Sequence, residues 1–104
     1  MSSWSEDEIQ KVWEKGAITQ YDPDKHRKDA KGAWILRSAY GDRSNMEGWE
    51  IDHITSKDSG GKDDLSNLRP LQWKNNVLKS NGRLKDANRV TSKGDVNIFI
   101  ESDD

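Results

Sequence analysis

The sequence predicts a small α+β domain with an N-terminal helix, a strand–loop–strand–helix unit in the middle and a C-terminal β-hairpin. Three observations predict it. Ile9, Val12 and Trp13 recur at i, i+3, i+4 behind a capping signal. The run WEIDHITSKDSGGKDDLSNLRPLQWKNNVLKS, residues 49–80, sets a strand-like stretch, a Gly-containing loop, a short extended stretch and a helical stretch in succession. Val96, Ile98 and Ile100 alternate behind a Lys93-Gly94-Asp95 turn signal.

Taken in order, Ser5 followed by Glu8 reads as a capping box, and acids in the first turn suit the helix dipole. The helix runs from Ser5 to about Lys15 and ends at Gly16. Residues 17–32 are charged, contain Pro23 and read as a loop, with His26 a solvated histidine within it. Residues 33–41, AWILRSAYG, suit a short helix or a strand, and periodicity does not choose between them over so few residues. Residues 41–48 read as a turn. Trp49 to His53 reads as a strand and 55–66 as a loop, with Gly60-Gly61 a turn. Leu68 to Leu71 is extended, and Pro70 keeps it from being a central strand. Trp73 to about Lys79 reads as a helix with Trp73 and Val77 on its apolar side, Asn75 on its polar side, and Asn81-Gly82 ending it. Arg89 to Thr91 is the hairpin partner of the last strand, and 101–104 is a frayed tail.

Composition narrows the function classes. A length of 104 residues suits one domain, with residues 49–80 as its motif core. With 35% charged and 31% apolar residues the core must be small, and five tryptophans are what fill it. Trp49 and Trp73 are placed to pack together behind the motif; base stacking by Trp34 or Trp73 is the lesser reading. The chain has no cysteine, which excludes disulfides and thiolate zinc sites, and two histidines cannot close a structural zinc site. No apolar run approaches a membrane span, and residues 1–10 lack the basic and apolar regions of a secretory signal, so the expected location is cytoplasmic.

Charge is unevenly placed. Residues 1–66 carry ten bases against fourteen acids, residues 67–94 seven bases against one acid, and residues 95–104 four acids and no base. The basic block overlaps the motif, where a phosphate backbone would lie. Taken alone, it would read as a solvated face, because the net charge is −2.

The chemistry centres on Asp52, His53, Asn67 and Asn76. An acid, a histidine and an amide oxygen are what a nuclease needs to hold one hard cation and activate one water. Neighbouring strand residues face opposite ways, so Asp52 is expected to face the helix carrying Asn76, with His53 turned toward the same cleft. Neutral His53 can take a proton from water. Asn67 cannot act as a base, but it can pin the loop and orient His53. Lys74, Lys79, Arg69 and Arg83 are placed to hold phosphates. Arg37 and Arg43 read either as DNA contacts or as solvated side chains.

An Asp-His pair alone reads as a surface pair at a strand end. The ordered set WEIDH, KDSGGKDDLSNL and LQWKNNVLKS resembles the HNH endonuclease family, the ββα-metal fold, over about a third of the chain. The resemblance implies that Asp52 is a metal-binding acid, His53 the general base, and Asn67 the middle residue supporting loop and base. Asn76 falls where many members carry a last histidine as a metal ligand. Asparagine there leaves oxygen donors and favours Mg²⁺, then Mn²⁺, over Zn²⁺ or Ni²⁺. Many members carry paired Cys-x-x-Cys knuckles; here the tryptophans are expected to do that stabilising.

The resemblance thus implies a metal-dependent endonuclease acting on DNA. The slightly acidic net charge implies a partner protein that supplies part of the grip, as expected of phage or mobile-element HNH proteins. The alternative is a DNA-binding or partner-recruiting module with a vestigial site.

Overall fold

A computed structural model describes residues 3–79 and 88–101. Helix α1, Glu6–Trp13, starts at a full capping box: the Ser5 hydroxyl accepts from the Glu8 N–H at 3.1 Å, and the Glu8 carboxylate accepts from the Ser5 N–H at 2.9 Å. Its inward face is Ile9, Val12 and Trp13, all buried. Ser5→Ala is expected to cost about 1 kcal/mol, seen as a fall of about 4–8 °C in Tm for a domain of this size. An unchanged melt by circular dichroism would show that the box does not hold the helix.

The segment read as a loop over 17–32 contains a strand, β1 (His26–Lys28), paired antiparallel with β2 (Trp34–Leu36). Three charged or polar residues in a row carry no strand periodicity, so tertiary contacts decide the conformation here. Arg27 is buried, and its guanidinium donates to the carbonyls of Glu14, Gly16 and Pro23. The β1–β2 turn is closed by Asp29, whose Oδ1 accepts from the N–H groups of Lys31 and Ala33, both at 2.9 Å. His26 is not a solvated side chain: it is half-buried, with its ring beside those of Tyr21 and Trp34. The ambiguous 33–41 stretch is a strand followed by a 3₁₀ turn, Arg37–Ala39.

Strand β3 (Trp49–His53) pairs antiparallel with β4 (Leu68–Gln72), placing Asp52 opposite Arg69 and His53 opposite Leu68. Pro70 sits in a two-stranded sheet, where its missing donor leaves no interior ladder unfilled. Helix α2 (Trp73–Leu78) follows directly, capped by the Gln72 side chain, which accepts from the N–H groups of Lys74 and Asn75. The β5–β6 hairpin, Arg89–Lys93 with Val96–Ile100, turns at Gly94 (φ +62°). The described residues thus form one small α+β domain of two helices and three two-stranded antiparallel sheets. No helix among them is long and apolar enough to cross a membrane.

The core gathers Ile9, Val12, Trp13, Ile35, Trp49 and Leu68, with Trp4, Tyr40 and Ile51 packed against it. Trp49 packs on Trp13 (ring centroids 5.3 Å apart) and Tyr40 (4.9 Å) rather than on Trp73, whose indole N–H is tied to the Asn45 carbonyl.

The faces of α2 differ from the sequence expectation. Val77 is 54% exposed and Asn75 only 1%. The Asn75 amide exchanges hydrogen bonds with the Val90 backbone in both directions and donates to Asp29 Oδ2, which also accepts from the Gln72 N–H. A buried polar clip, invisible to apolar periodicity, therefore docks α2 between the β1–β2 turn and β5. The helix end expected at Asn81-Gly82 and most of the expected frayed tail lie outside the described residues.

Candidate functional site

Strand alternation sorts the motif. Glu50 and Asp52 share one face of β3, while Trp49, Ile51 and His53 share the other. On the first face Asp52 meets Arg69, its cross-strand neighbour, whose Nε donates to Asp52 Oδ2 at 2.8 Å. The other carboxylate oxygen, Oδ1, is held by Lys79 Nζ, which also donates to the His53 carbonyl at 2.9 Å. The Asp52 side chain is 1% exposed, so this is a buried carboxylate compensated by two cations.

One turn back along α2, Asn76 Nδ2 donates to Glu50 Oε1 at 2.8 Å. Asn76 lies within α2, and Lys79, three positions on, caps its C-terminus. Two rungs therefore span the gap between strand and helix: Glu50 with Asn76, and Asp52 with Lys79. Burial pushes the Glu50 carboxyl up, but hydrogen bonds from Arg43 (2.6 and 2.9 Å) and Asn76 outweigh it and hold the group below its usual range. Arg43 is thus engaged with Glu50, and Arg37 donates to Gln10 Oε1 at 3.0 Å.

His53 ends β3 on the opposite face, with its side chain 19% exposed. Its Nε2 lies 2.7 Å from Asp63 Oδ1, and its ring lies 5.8 Å from that of Trp4. An ionised carboxylate can only accept, so Nε2 carries a proton and Nδ1 of the neutral ring keeps its lone pair. The same hydrogen bond, aided by Lys57 at 3.6 Å, holds the Asp63 carboxyl below its usual range against a small desolvation effect.

Asn67 meets Thr55 and Lys62 rather than His53. Its Oδ1 accepts from the Thr55 N–H at 2.8 Å, and its Nδ2 donates to the carbonyls of Thr55 (3.0 Å) and Lys62 (2.8 Å). It closes the loop that carries Asp63. Gly61 packs where a Cβ would fall 1.7 Å from the Thr55 carbonyl oxygen, so only glycine fits that closure.

Of the four bases expected on phosphates, Arg69 and Lys79 hold Asp52, Lys74 Nζ lies 4.2 Å from the Phe99 ring centre, and Arg83 lies outside the described residues. The motif reading missed Glu50, Asp63 and Trp4. Glu50 was legible in principle, because it stands two residues from Asp52 and must share its face. Asp63 is one of several acids in its loop, and Trp4 is 49 residues away; no local pattern marks either.

The donor chemistry fits a hard divalent cation: Glu50, Asp52 and Asn76 offer carboxylate and amide oxygens, without nitrogen or sulfur. No three His, Cys, Asp or Glu side chains group as a metal site among the described residues. A cation here would therefore draw on the Asn76 amide and on water, and would compete with Lys79 and Arg69 for Asp52.

Residues 40–82, from the turn before β3 through α2, match the family model described as HNH endonuclease. No curated protein and no solved structure matches the chain.

Proposed function

We propose, from the match of residues 40–82 to the HNH endonuclease family model, that the chain is a divalent-metal-dependent endonuclease hydrolysing phosphodiester bonds in DNA. The observation that carries the reading is the His53–Asp63 contact at the end of β3, which leaves one imidazole nitrogen free to act as a base.

In this proposal His53 Nδ1 takes a proton from a water molecule as its oxygen attacks phosphorus, the bridging bond from phosphorus to one sugar oxygen breaks, and the departing oxygen takes a proton from solvent. Asp63 keeps the ring oriented and balances the imidazolium that forms. Asn67 holds the loop that holds Asp63. Asp52 and Asn76 would hold the cation, with Glu50 beside them, and Mg²⁺ or Mn²⁺ suits their oxygen donors better than Zn²⁺ or Ni²⁺. A bound cation would supply positive charge at the scissile phosphate. Lys79, once displaced from Asp52, would face that phosphate, with Arg69, Lys74 and Arg83 along the backbone. A net charge of −2 makes the grip on DNA weak, which supports a protein partner of phage or mobile-element type.

A second reading is a DNA-binding or partner-recruiting module with a vestigial site, favoured by the two cations that already neutralise Asp52. The discriminating experiment incubates supercoiled plasmid with the protein in Mg²⁺, Mn²⁺, Zn²⁺, Ni²⁺ or EDTA, beside Asp52→Ala. Cleavage by the wild type is expected in Mg²⁺ or Mn²⁺ only, and Asp52→Ala, which removes a proposed carboxylate ligand, is expected to lose the metal-dependent activity. Full cleavage in EDTA would overturn the nuclease mechanism. Plasmid retardation without cutting in any metal would establish the second reading.

A further inference from the structure

Away from Asp52, a cavity of ≈ 170 Å³ opens where four separate segments meet, lined by Tyr21, His26, Trp34, Glu47 and Asp95. Three of its walls are aromatic rings set at steep angles to one another. Tyr21 and Trp34 lie 5.6 Å apart at 67°, His26 and Trp34 6.3 Å at 87°, and Tyr21 and His26 6.3 Å at 60°. The rest is acidic, and among the described residues no lysine or arginine lines it.

The walls are built in. Trp34 is 3% exposed, its indole N–H donates to the Gly94 carbonyl at 2.8 Å, and the Asn97 amide bonds both its backbone N–H and its backbone carbonyl. The Tyr21 hydroxyl donates to Asp95 Oδ1 at 2.7 Å, which fixes the ring and its acid together. His26 Nε2 lies 3.5 Å from Glu47 Oε1 on the other side.

Aromatic faces attract cations, and indole faces most strongly. Trp34 already shows this, because Lys28 Nζ lies 4.6 Å from its ring centre, although Lys28 does not line the cavity. Two carboxylates add to the attraction and repel phosphate, so a nucleic-acid strand is the wrong ligand for this pocket. Size narrows the class further: a cavity of roughly 150 Å³ holds one benzene ring, so this one has room for a single head group.

We propose that this cavity is a binding site for an organic cation, an alkylammonium or guanidinium head carried either by a free small molecule or by a lysine or arginine side chain of another protein. The site stands apart from Asp52 and His53 and does not depend on the nuclease reading.

The test uses the full ¹⁵N-labelled chain and follows the Trp34 indole N–H resonance, assigned by its loss in Trp34→Phe. The probes are tetramethylammonium, ethylguanidinium and an acetyl-Gly-Arg-Gly amide peptide, each against sodium chloride at equal ionic strength. A saturable shift of that resonance with at least one probe is expected. Affinity should fall about tenfold in Glu47→Gln/Asp95→Asn, whose side chains are partly exposed and whose folding circular dichroism checks. Tyr21→Ala, at a residue 41% exposed, should weaken binding independently. Tighter binding of the peptide than of ethylguanidinium would assign the site to a protein side chain; equal or weaker binding would assign it to a free small cation. No saturable shift with any probe, or undiminished affinity in the acid double variant, overturns the proposal.

Discussion

His53→Ala is expected to lower metal-dependent plasmid cleavage by about 10²–10⁴-fold, the range for loss of a general base, while leaving the fold intact. The imidazole contributes little to the core. It ends a strand and its recorded side-chain partners are Asp63 and the Trp4 ring. On the proposed mechanism its removal deprives the attacking water of its proton acceptor but leaves Asp52, Asn76 and the Asn67-pinned loop in place. The measurement is the rate of plasmid nicking beside a thermal melt. Nicking at the wild-type rate by a folded variant would sink the assignment of His53, whatever the metal requirement proved to be.

The largest expected effect on stability lies at Asp29. Its carboxylate accepts from the N–H groups of Lys31, Ala33 and Gln72 and from the Asn75 amide. Asp29→Ala strands at least three of these donors in buried surroundings, and each unsatisfied group costs about 1–3 kcal/mol. A total loss of about 3–5 kcal/mol is expected after local relaxation, a large part of the stability of a domain this small. The pH dependence is distinctive. Burial raises the Asp29 pKa above the usual carboxylate range, against the pull of its four hydrogen bonds. Between the unfolded and folded values the native state keeps a proton that the unfolded chain has released, so this group's contribution falls as pH rises through that window. Glu50, Asp42 and Asp63 behave in the opposite sense: their lowered pKa values contribute stability that is lost as pH falls. Urea titrations of wild type and Asp29→Ala should therefore show a penalty that shrinks with rising pH. A penalty that grows with pH, or an unchanged midpoint, would refute the role given to the clip.

Local chemistry made much of the fold legible. The capping box marked α1, a short stretch with β-branched Ile51 marked β3, alternation marked β6 of the C-terminal hairpin, and the Trp73–Val77 spacing marked α2. Partners distant in sequence fixed the rest. β1 is a strand because Arg27 reaches three carbonyls around the end of α1 and the loop after it, which a charged tripeptide does not announce. Asn75 looked like a solvated amide because apolar spacing pointed to Trp73 and Val77; Asp29 and Val90 turned it inward. Gln72 and Asn75 have the spacing of a Cys-x-x-Cys pair, and hydrogen bonds here link them to the β1–β2 turn. The tryptophans therefore share the stabilising role that the sequence assigned to them alone. At the candidate site, residue types singled out Asp52, His53, Asn67 and Asn76 as candidates. Their pairings with Lys79, Asp63, Thr55 and Glu50 depended on strand register and loop closure, which no spacing rule supplies.

The buried clip also bears on how this motif can travel between proteins. Residues 49–80 carry nearly all of the predicted chemistry, yet their described structure is mainly a two-stranded hairpin and a six-residue helix. Elements of that size are marginal by themselves. Their docking groups lie elsewhere: Asp29 stands 43 residues before Gln72 and 46 before Asn75, and Val90 follows Asn75 by 15. The motif is therefore not a portable cassette. A graft of 49–80 into another scaffold would carry the candidate side chains without the acceptor that seats their helix, so the unremarkable flanks would have to be inherited with it.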